Sequence, residues 1–275
     1  MRPLGSTGPW AAGPVTDRAS AILAPNPAWM TLDGTNSWLL LEPGSTRAVL
    51  IDPGPDDPGH LVALVNAADE RGARIAEILL THGHADHAAG ASALHVMTKA
   101  PVRALDPGQR LGSEGLGEGD VVDAGGLRLT VLATPGHTAD SLTFLLSADG
   151  ALLTGDTILG RGSAVIAHPD GDLRAYLSSL GRLADLAQES GARWVLPGHG
   201  PACPDPAGLI ADYTQHRRER LELVAGAHAQ GITELDALLD VAYPEVPAEL
   251  RWAARLSLAA QVEYLADPPA RPRAG

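Results

Sequence analysis

Five of the ten histidines fall in three short glycine-containing motifs, His82-Gly-His84-Ala-Asp86-His87, Pro135-Gly-His137-Thr138 and Pro197-Gly-His199-Gly200, set far apart in the chain. Each motif follows an apolar, strand-like run. Such a pattern demands a fold in which the ends of several strands meet at one edge, because loops held by a rigid sheet bring distant side chains to a common point. Imidazole and carboxylate at short spacing are the donors that borderline divalent ions such as zinc require, at about 2.0 to 2.2 Å from the ion. Alternate residues His82 and His84 can project together from an extended loop, while Asp86 and His87 face a second centre close by, so one turn can feed two metals. Asp156, in Thr154-Gly-Asp-Thr157 at the end of another strand run, is the natural bridging carboxylate. Taken singly, His137 reads as a satisfied loop histidine and Asp156 as a turn former. The recurrence of strand, Pro-Gly and His at 137 and 199 makes the metal reading the stronger one.

Short strand-like runs fill the first two thirds: 37–41, 48–52, 75–81, 127–133, 141–146, 151–153 and 194–196. Helix-like segments with apolar residues three and four apart lie between them at 58–70, 88–99 and 172–188. This alternation implies a layered α/β architecture. The turn signals Asp123-Ala-Gly-Gly126 and Asp149-Gly150 make many neighbouring strands antiparallel. Three prolines within Gly200 to Pro206 break regular structure, and helix-like stretches follow at 208–230, 233–241 and 248–264. The expected organisation is a flexible segment 1–19, a catalytic domain 20–206 and a small helical domain 207–275, with the proline-rich end from Pro268 to Gly275 fraying.

The single cysteine, Cys203, allows no intramolecular disulfide and reads as a bystander. No run has signal-peptide or membrane-spanning character, so the expectation is a soluble, cytoplasmic protein without a membrane partner. A net charge of −13 repels phosphate backbones at long range. From Asp205 onward, eleven acidic residues face seven arginines, a net −4, with Arg217, Arg218 and Arg220 the only dense basic group. That group reads as either an RNA-gripping face or a helix's solvated side.

In order and composition these motifs resemble the metallo-β-lactamase superfamily over residues 20–200: His-x-His-x-Asp-His, then Pro-Gly-His, Gly-Asp and a terminal Pro-Gly-His. The resemblance implies an αββα sandwich with metals at one edge of two packed sheets. It assigns His82, His84 and His137 to a first metal and Asp86, His87 and His199 to a second, with Asp156 bridging. It also places Asp52, in Leu50-Ile-Asp-Pro-Gly54, behind the ligand loop as an orienting group. The commonest zinc β-lactamases carry cysteine where Asp156 stands, so the chain is closer to glyoxalase II-type hydrolases and their nuclease relatives. Leu32-Asp-Gly-Thr-Asn-Ser-Trp-Leu39, Gly155-Asp-Thr-Ile-Leu-Gly160 and the helix around Tyr213 resemble the lactamase-β-2-like subgroup. That subgroup has a winged-helix-like C-terminal domain and includes endoribonucleases for single-stranded RNA and polyketide-type thioesterases.

The implied enzyme is a hydrolase with two Zn2+, with Mn2+ or Fe2+ as alternatives, in which a metal-bridging hydroxide attacks the substrate and Asp86 orients it and takes its proton. The expected partner is a small-molecule acyl substrate, an ester or thioester, placed ahead of single-stranded RNA because of the acidic charge. Thr35, Asn36 and Arg161 are candidate substrate contacts. A mononuclear iron persulfide-dioxygenase-like oxidoreductase is a further reading, and a binding protein with a merely structural metal ranks last, since structural zinc sites are usually cysteine-rich.

Overall fold

The computed structural model describes residues 5, 10–112, 114–167 and 171–266. Two mixed sheets pack face to face. The first has six strands in chain order: β1 (Gly13–Pro14), β2 (Ala19–Leu23), β3 (Asn36–Leu40), β4 (Arg47–Ile51), β5 (Arg74–Leu79) and β6 (Val102–Arg103). The second has five, β7 (Val121–Ala124), β8 (Leu127–Ala133), β9 (Leu142–Leu146), β10 (Ala151–Gly155) and β11 (Trp194–Pro197), again side by side in sequence order. The Asp123–Gly126 and Asp149–Gly150 turns join antiparallel pairs, as their composition predicts. Parallel pairing occurs where a helix intervenes: β4 with β5 across α1 (Pro58–Asp69), and β10 with β11 across α4 (Leu173–Ser190).

Side-chain alternation explains the layers. Central strands β3, β9 and β10 are buried at every position. One set of residues, including Trp38, Leu40, Val49, Ile51, Phe144 and Leu153, fills the space between the sheets. The alternate set faces helices: Leu39 and Leu50 meet Leu61 and Leu64 of α1 and Leu94 of α3 (Ala91–Thr98), while Leu145 and Leu152 meet Tyr176 and Leu180 of α4. Strands buried on both faces read as continuous apolar runs, which is how they appear in the sequence. Helix starts follow local capping chemistry: the Asp57 and Asp172 side chains accept from the backbone N–H groups of His60 and Ala175. The fold is thus the expected α/β sandwich with a helix layer outside each sheet.

Beyond β11, α5 (Pro206–Ala229), α6 (Leu235–Ala242) and α7 (Arg251–Ala266) form the helical tail, and no strand is assigned after Pro197 among the described residues. The winged-helix expectation therefore finds its helices but no wing there. Helix α5 serves two cores: Leu209, Ile210 and Tyr213 pack with α4, whereas Val224 and Ala227 pack with Leu238 of α6 and Leu258 of α7. Part of the segment expected to be flexible, 1–19, belongs to the sandwich instead. Gly13–Pro14 pairs with β2, and Thr16 and Arg18 bond the buried Asp149 across the sheets. The end from Pro268 to Gly275 lies outside the described residues. No helix of the described residues is long and apolar enough to cross a membrane.

Candidate metal centre

Strand β5 ends at Leu79, and the chain then runs through Thr81 and His82 into the short helix α2 (Ala85–Ala88), which carries Asp86 and His87. His137 follows β8, Asp156 follows β10 and His199 follows β11, so all the motif residues leave their sheets at one edge. Three overlapping groups result, each with ligand atoms within 4.8 Å of one another: His82, His84 and His137; His82, His87 and Asp156; Asp86, His87 and His199. Cys203 is in none of them.

The outer ring nitrogens decide what the inner ones can do. His87 Nδ1 donates to Asp52 Oδ2 at 2.8 Å, His137 Nδ1 to the Val165 carbonyl at 2.8 Å and His199 Nδ1 to the Gly34 carbonyl at 3.2 Å. Thr81 spends its one hydroxyl proton on Asp52 Oδ2 at 2.6 Å, so it accepts from His82 Nδ1 at 3.0 Å. Four imidazoles consequently aim Nε2 inward, held in one tautomer by an outer acceptor, the arrangement that metal-binding histidines use. His84 supplies Nδ1, lying 3.0 Å from His82 Nε2 and 3.1 Å from His137 Nε2. His87 and His199 bring their Nε2 atoms to 3.2 Å. Two lone pairs at such separations repel unless positive charge lies between them.

Asp156 Oδ1 is buried without a hydrogen-bond partner, 3.4 Å from His87 Nε2. An orphaned carboxylate oxygen amid inward imidazole nitrogens is a donor set that suits divalent ions of zinc's class. Without an ion, protons supply the charge. Burial opposes the charged form of His87, but Asp156 and Asp52 outweigh it and hold its pKa well above the ordinary value. His199 is likewise pushed up to about 9 by Asp156 and Asp86 against its burial. Burial disfavours charge on His82 and His137, whose pKa values fall. Burial works against ionised Asp156 as well, yet the facing His199 and His87 keep it well below the usual carboxylate range.

Two of the three expected substrate contacts sit behind the His199 loop and not on the wall of the cavity beside the cluster. Thr35 and Asn36 are fully buried. Asn36 Nδ2 donates to the carbonyls of Pro197 and Gly200, and its backbone N–H to Gly198, so it clamps the loop carrying His199. Thr35 bridges to His199 through the backbone and accepts from Asn26 Nδ2. Both support the loop by positioning: these contacts engage the Thr35 side chain, and Asn36 Oδ1 also accepts from Trp10 Nε1. Arg161 does face a cavity beside His137 and Asp156, with its guanidinium held 2.6 Å from Asp33. The basic trio also resolves unexpectedly: Arg217 and Arg220 are buried and only Arg218 is exposed. Tyr213, Arg217, Arg220 and Val224 share one helix stripe at spacings of four, three and four, a signal that was readable in the sequence. Thr81 and Gly198 were missed. Thr81 is the last residue of an apolar run, and Gly198 is required by space, since a Cβ there would meet Asp156 Oδ1 and His87 Cε1 at 2.6 Å.

A family profile described as the metallo-beta-lactamase superfamily matches residues 30–199, the stretch that carries the entire cluster. The chain belongs to the metallo-beta-lactamase superfamily. Within it, a "Beta-lactamase-like protein 2 homolog" of Caenorhabditis elegans is 32% identical over 254 residues, covering 88% of this chain and 81% of that protein. "Thioesterase pkgB" of Emericella nidulans is 36% identical over 202 residues, covering 72% of this chain and 55% of that protein. The chain spans less than two thirds of such fungal relatives, 64% in the case of "Lactamase-like protein adaB" of Aspergillus niger, which is 34% identical over 78% of this chain. Among solved structures, a metallo-beta-lactamase family protein from Thermus thermophilus superposes with a TM-score of 0.74 at 25% identity, covering 94% of this chain and 96% of that one.

Proposed function

We propose that this metal-dependent hydrolase cleaves acyl thioesters, using divalent ions held by His82, His84 and His137 on one side, Asp86, His87 and His199 on the other, and Asp156 between them. The observation that carries the substrate class is the cavity beside the cluster. It measures about 420 Å³, shares His137 and Asp156 with the ligand set, and is lined otherwise by Trp29, Met30, Leu32, Leu159, Val246 and Leu250, among others. An apolar chamber at a metal centre suits an acyl chain, whose burial contributes about 0.8 kcal/mol per methylene. A ribose-phosphate backbone needs several cations along its track and would find two there, Arg161, already paired with Asp33, and Arg217. The thioesterase named among the fungal relatives supports the same reading.

When bound, divalent ions supply Lewis acidity toward the carbonyl oxygen and acidify water toward about neutral pH. The chain's own groups do the rest. Asp86 is the most open carboxylate of the cluster, 31% exposed against 12% for Asp156, with Oδ2 3.1 Å from His199 Nε2. It is placed to orient the attacking water and take its proton. Attack at the carbonyl carbon and cleavage of the C–S bond then release a carboxylate and a thiol. A thiol leaves as thiolate at ordinary pH with little help, and the reading assigns no residue as general acid.

The test is turnover of an acyl thioester and of labelled single-stranded RNA in parallel, with metal-replete wild type and Asp86→Ala. Thiol release that drops by about two orders of magnitude or more in the variant supports the reading. RNA cleavage lost in the variant, with the thioester untouched by either protein, overturns it.

A further inference from the structure

Besides Arg161, held by Asp33, the cavity contains a second cation that an apolar chain does not need. Arg217 lines it, projecting from α5, yet is only 2% exposed. Its guanidinium has five N–H donors. Among the described residues it donates to the Ala164 carbonyl and lies within interaction range of Tyr176, and Nε is buried without a partner. No carboxylate among the described residues forms an ion pair with it, in contrast to Arg161 with Asp33 and Arg220 with Glu245. Its other neighbour is the ring of Tyr176, 5.0 Å away. Burial pushes the phenols of Tyr176, Tyr213 and Tyr243 up, so none of these supplies the missing negative charge. A buried, unpaired cation is among the costliest things a protein can hold, and it persists where a ligand completes it.

We propose that Arg217 is a specificity-determining residue that receives an anionic oxygen on the acyl group, so that the preferred thioester carries a carboxylate remote from the scissile bond. The inference rests on the thioesterase reading for its substrate but not for its binding chemistry. A guanidinium pairs with a carboxylate through two parallel hydrogen bonds, and a largely apolar wall strengthens that pairing. A neutral acyl chain of equal length would leave the cation unpaired, so the site discriminates by penalty as well as by attraction.

Two measurements separate this inference from the underlying activity. In the first, metal-replete protein is given hexanoyl and 5-carboxypentanoyl thioesters of one thiol. Wild type is expected to favour the carboxylated substrate by about tenfold or more in kcat/KM, as a charge-assisted hydrogen bond predicts. Arg217→Met brings the ratio toward one, and Arg217→Lys restores part of it. In the second, calorimetry follows binding of N-methyl adipamic acid and N-methylhexanamide to metal-free protein, which removes any attraction of the carboxylate to metal. Binding confined to the carboxylated amide, lost in Arg217→Met and partly regained in Arg217→Lys, supports the assignment even if no thioester is hydrolysed. Circular dichroism verifies that both variants are folded. Equal binding of the two amides by wild type, no binding of either, or an unchanged preference in a folded Arg217→Met overturns it.

Discussion

Asp52→Asn tests how far the cluster depends on the group behind it. Asp52 lies in the left-handed region at φ 54°, which Asn tolerates nearly as well as Asp, so the backbone should hold. The carboxylate accepts three hydrogen bonds, from Thr81 N at 2.7 Å, Thr81 Oγ1 at 2.6 Å and His87 Nδ1 at 2.8 Å. An amide can keep the first, and it can turn the second around by donating to the hydroxyl. It cannot accept from His87 as well, because its NH2 then faces the imidazole N–H. His87 must shed that proton or move it to Nε2, the atom the metal requires. The lost charge-assisted bond is worth about 1.5–3 kcal/mol, which agrees with the 10- to 100-fold loss of metal affinity typical when such a partner is altered. Zinc affinity measured by competition with a chromophoric chelator should therefore fall by about that factor, with far-UV circular dichroism unchanged. Affinity within about twofold of wild type would refute the claim that Asp52 sets the His87 tautomer.

Four further outcomes follow from the same geometry. In the metal-free protein His199 titrates near 9 against 6.5 for the unconstrained group. Its contribution to stability is complete below pH 6.5 and is lost as pH rises toward 9, so the melting temperature of chelator-treated protein should fall across that window. Asp86 and Asp156, with lowered pKa values, are ionised throughout it. Zinc binding at pH 7 should release protons, measured by calorimetry in buffers of different ionisation enthalpy, and a heat independent of buffer would contradict the protonated state of His87 and His199. Gly198→Ala places a methyl against Asp156 and His87 without backbone strain, so bound metal measured by mass spectrometry should drop while the fold survives. Asn36→Ala orphans the Gly200 carbonyl, while Trp38 Nε1 still donates to that of Pro197, and should cost about 1–3 kcal/mol in urea unfolding; an unchanged midpoint would remove its role as the clamp on the His199 loop.

What was legible in the sequence was local or repeated. The strand runs ending in His82, His137, Asp156 and His199 reported both the sheets and the edge where they converge, because strands buried on both faces must be apolar throughout and their ligands must follow them. Turn glycines marked hairpins within a few residues, since their chemistry acts over a single turn. Short edge strands such as Gly13–Pro14 and Val102–Arg103 carried no periodicity to detect and exist only through their partners. Thr35 and Asn36 are held against His199 and Gly200, more than 160 positions away, contacts that no local pattern could reveal. Tertiary packing likewise made Arg217 a buried cation beside the metal cluster rather than part of a solvated helix face. Sequence specifies which donors a chain owns; which of them lose water and are left needing a counter-charge depends on what the fold packs around them.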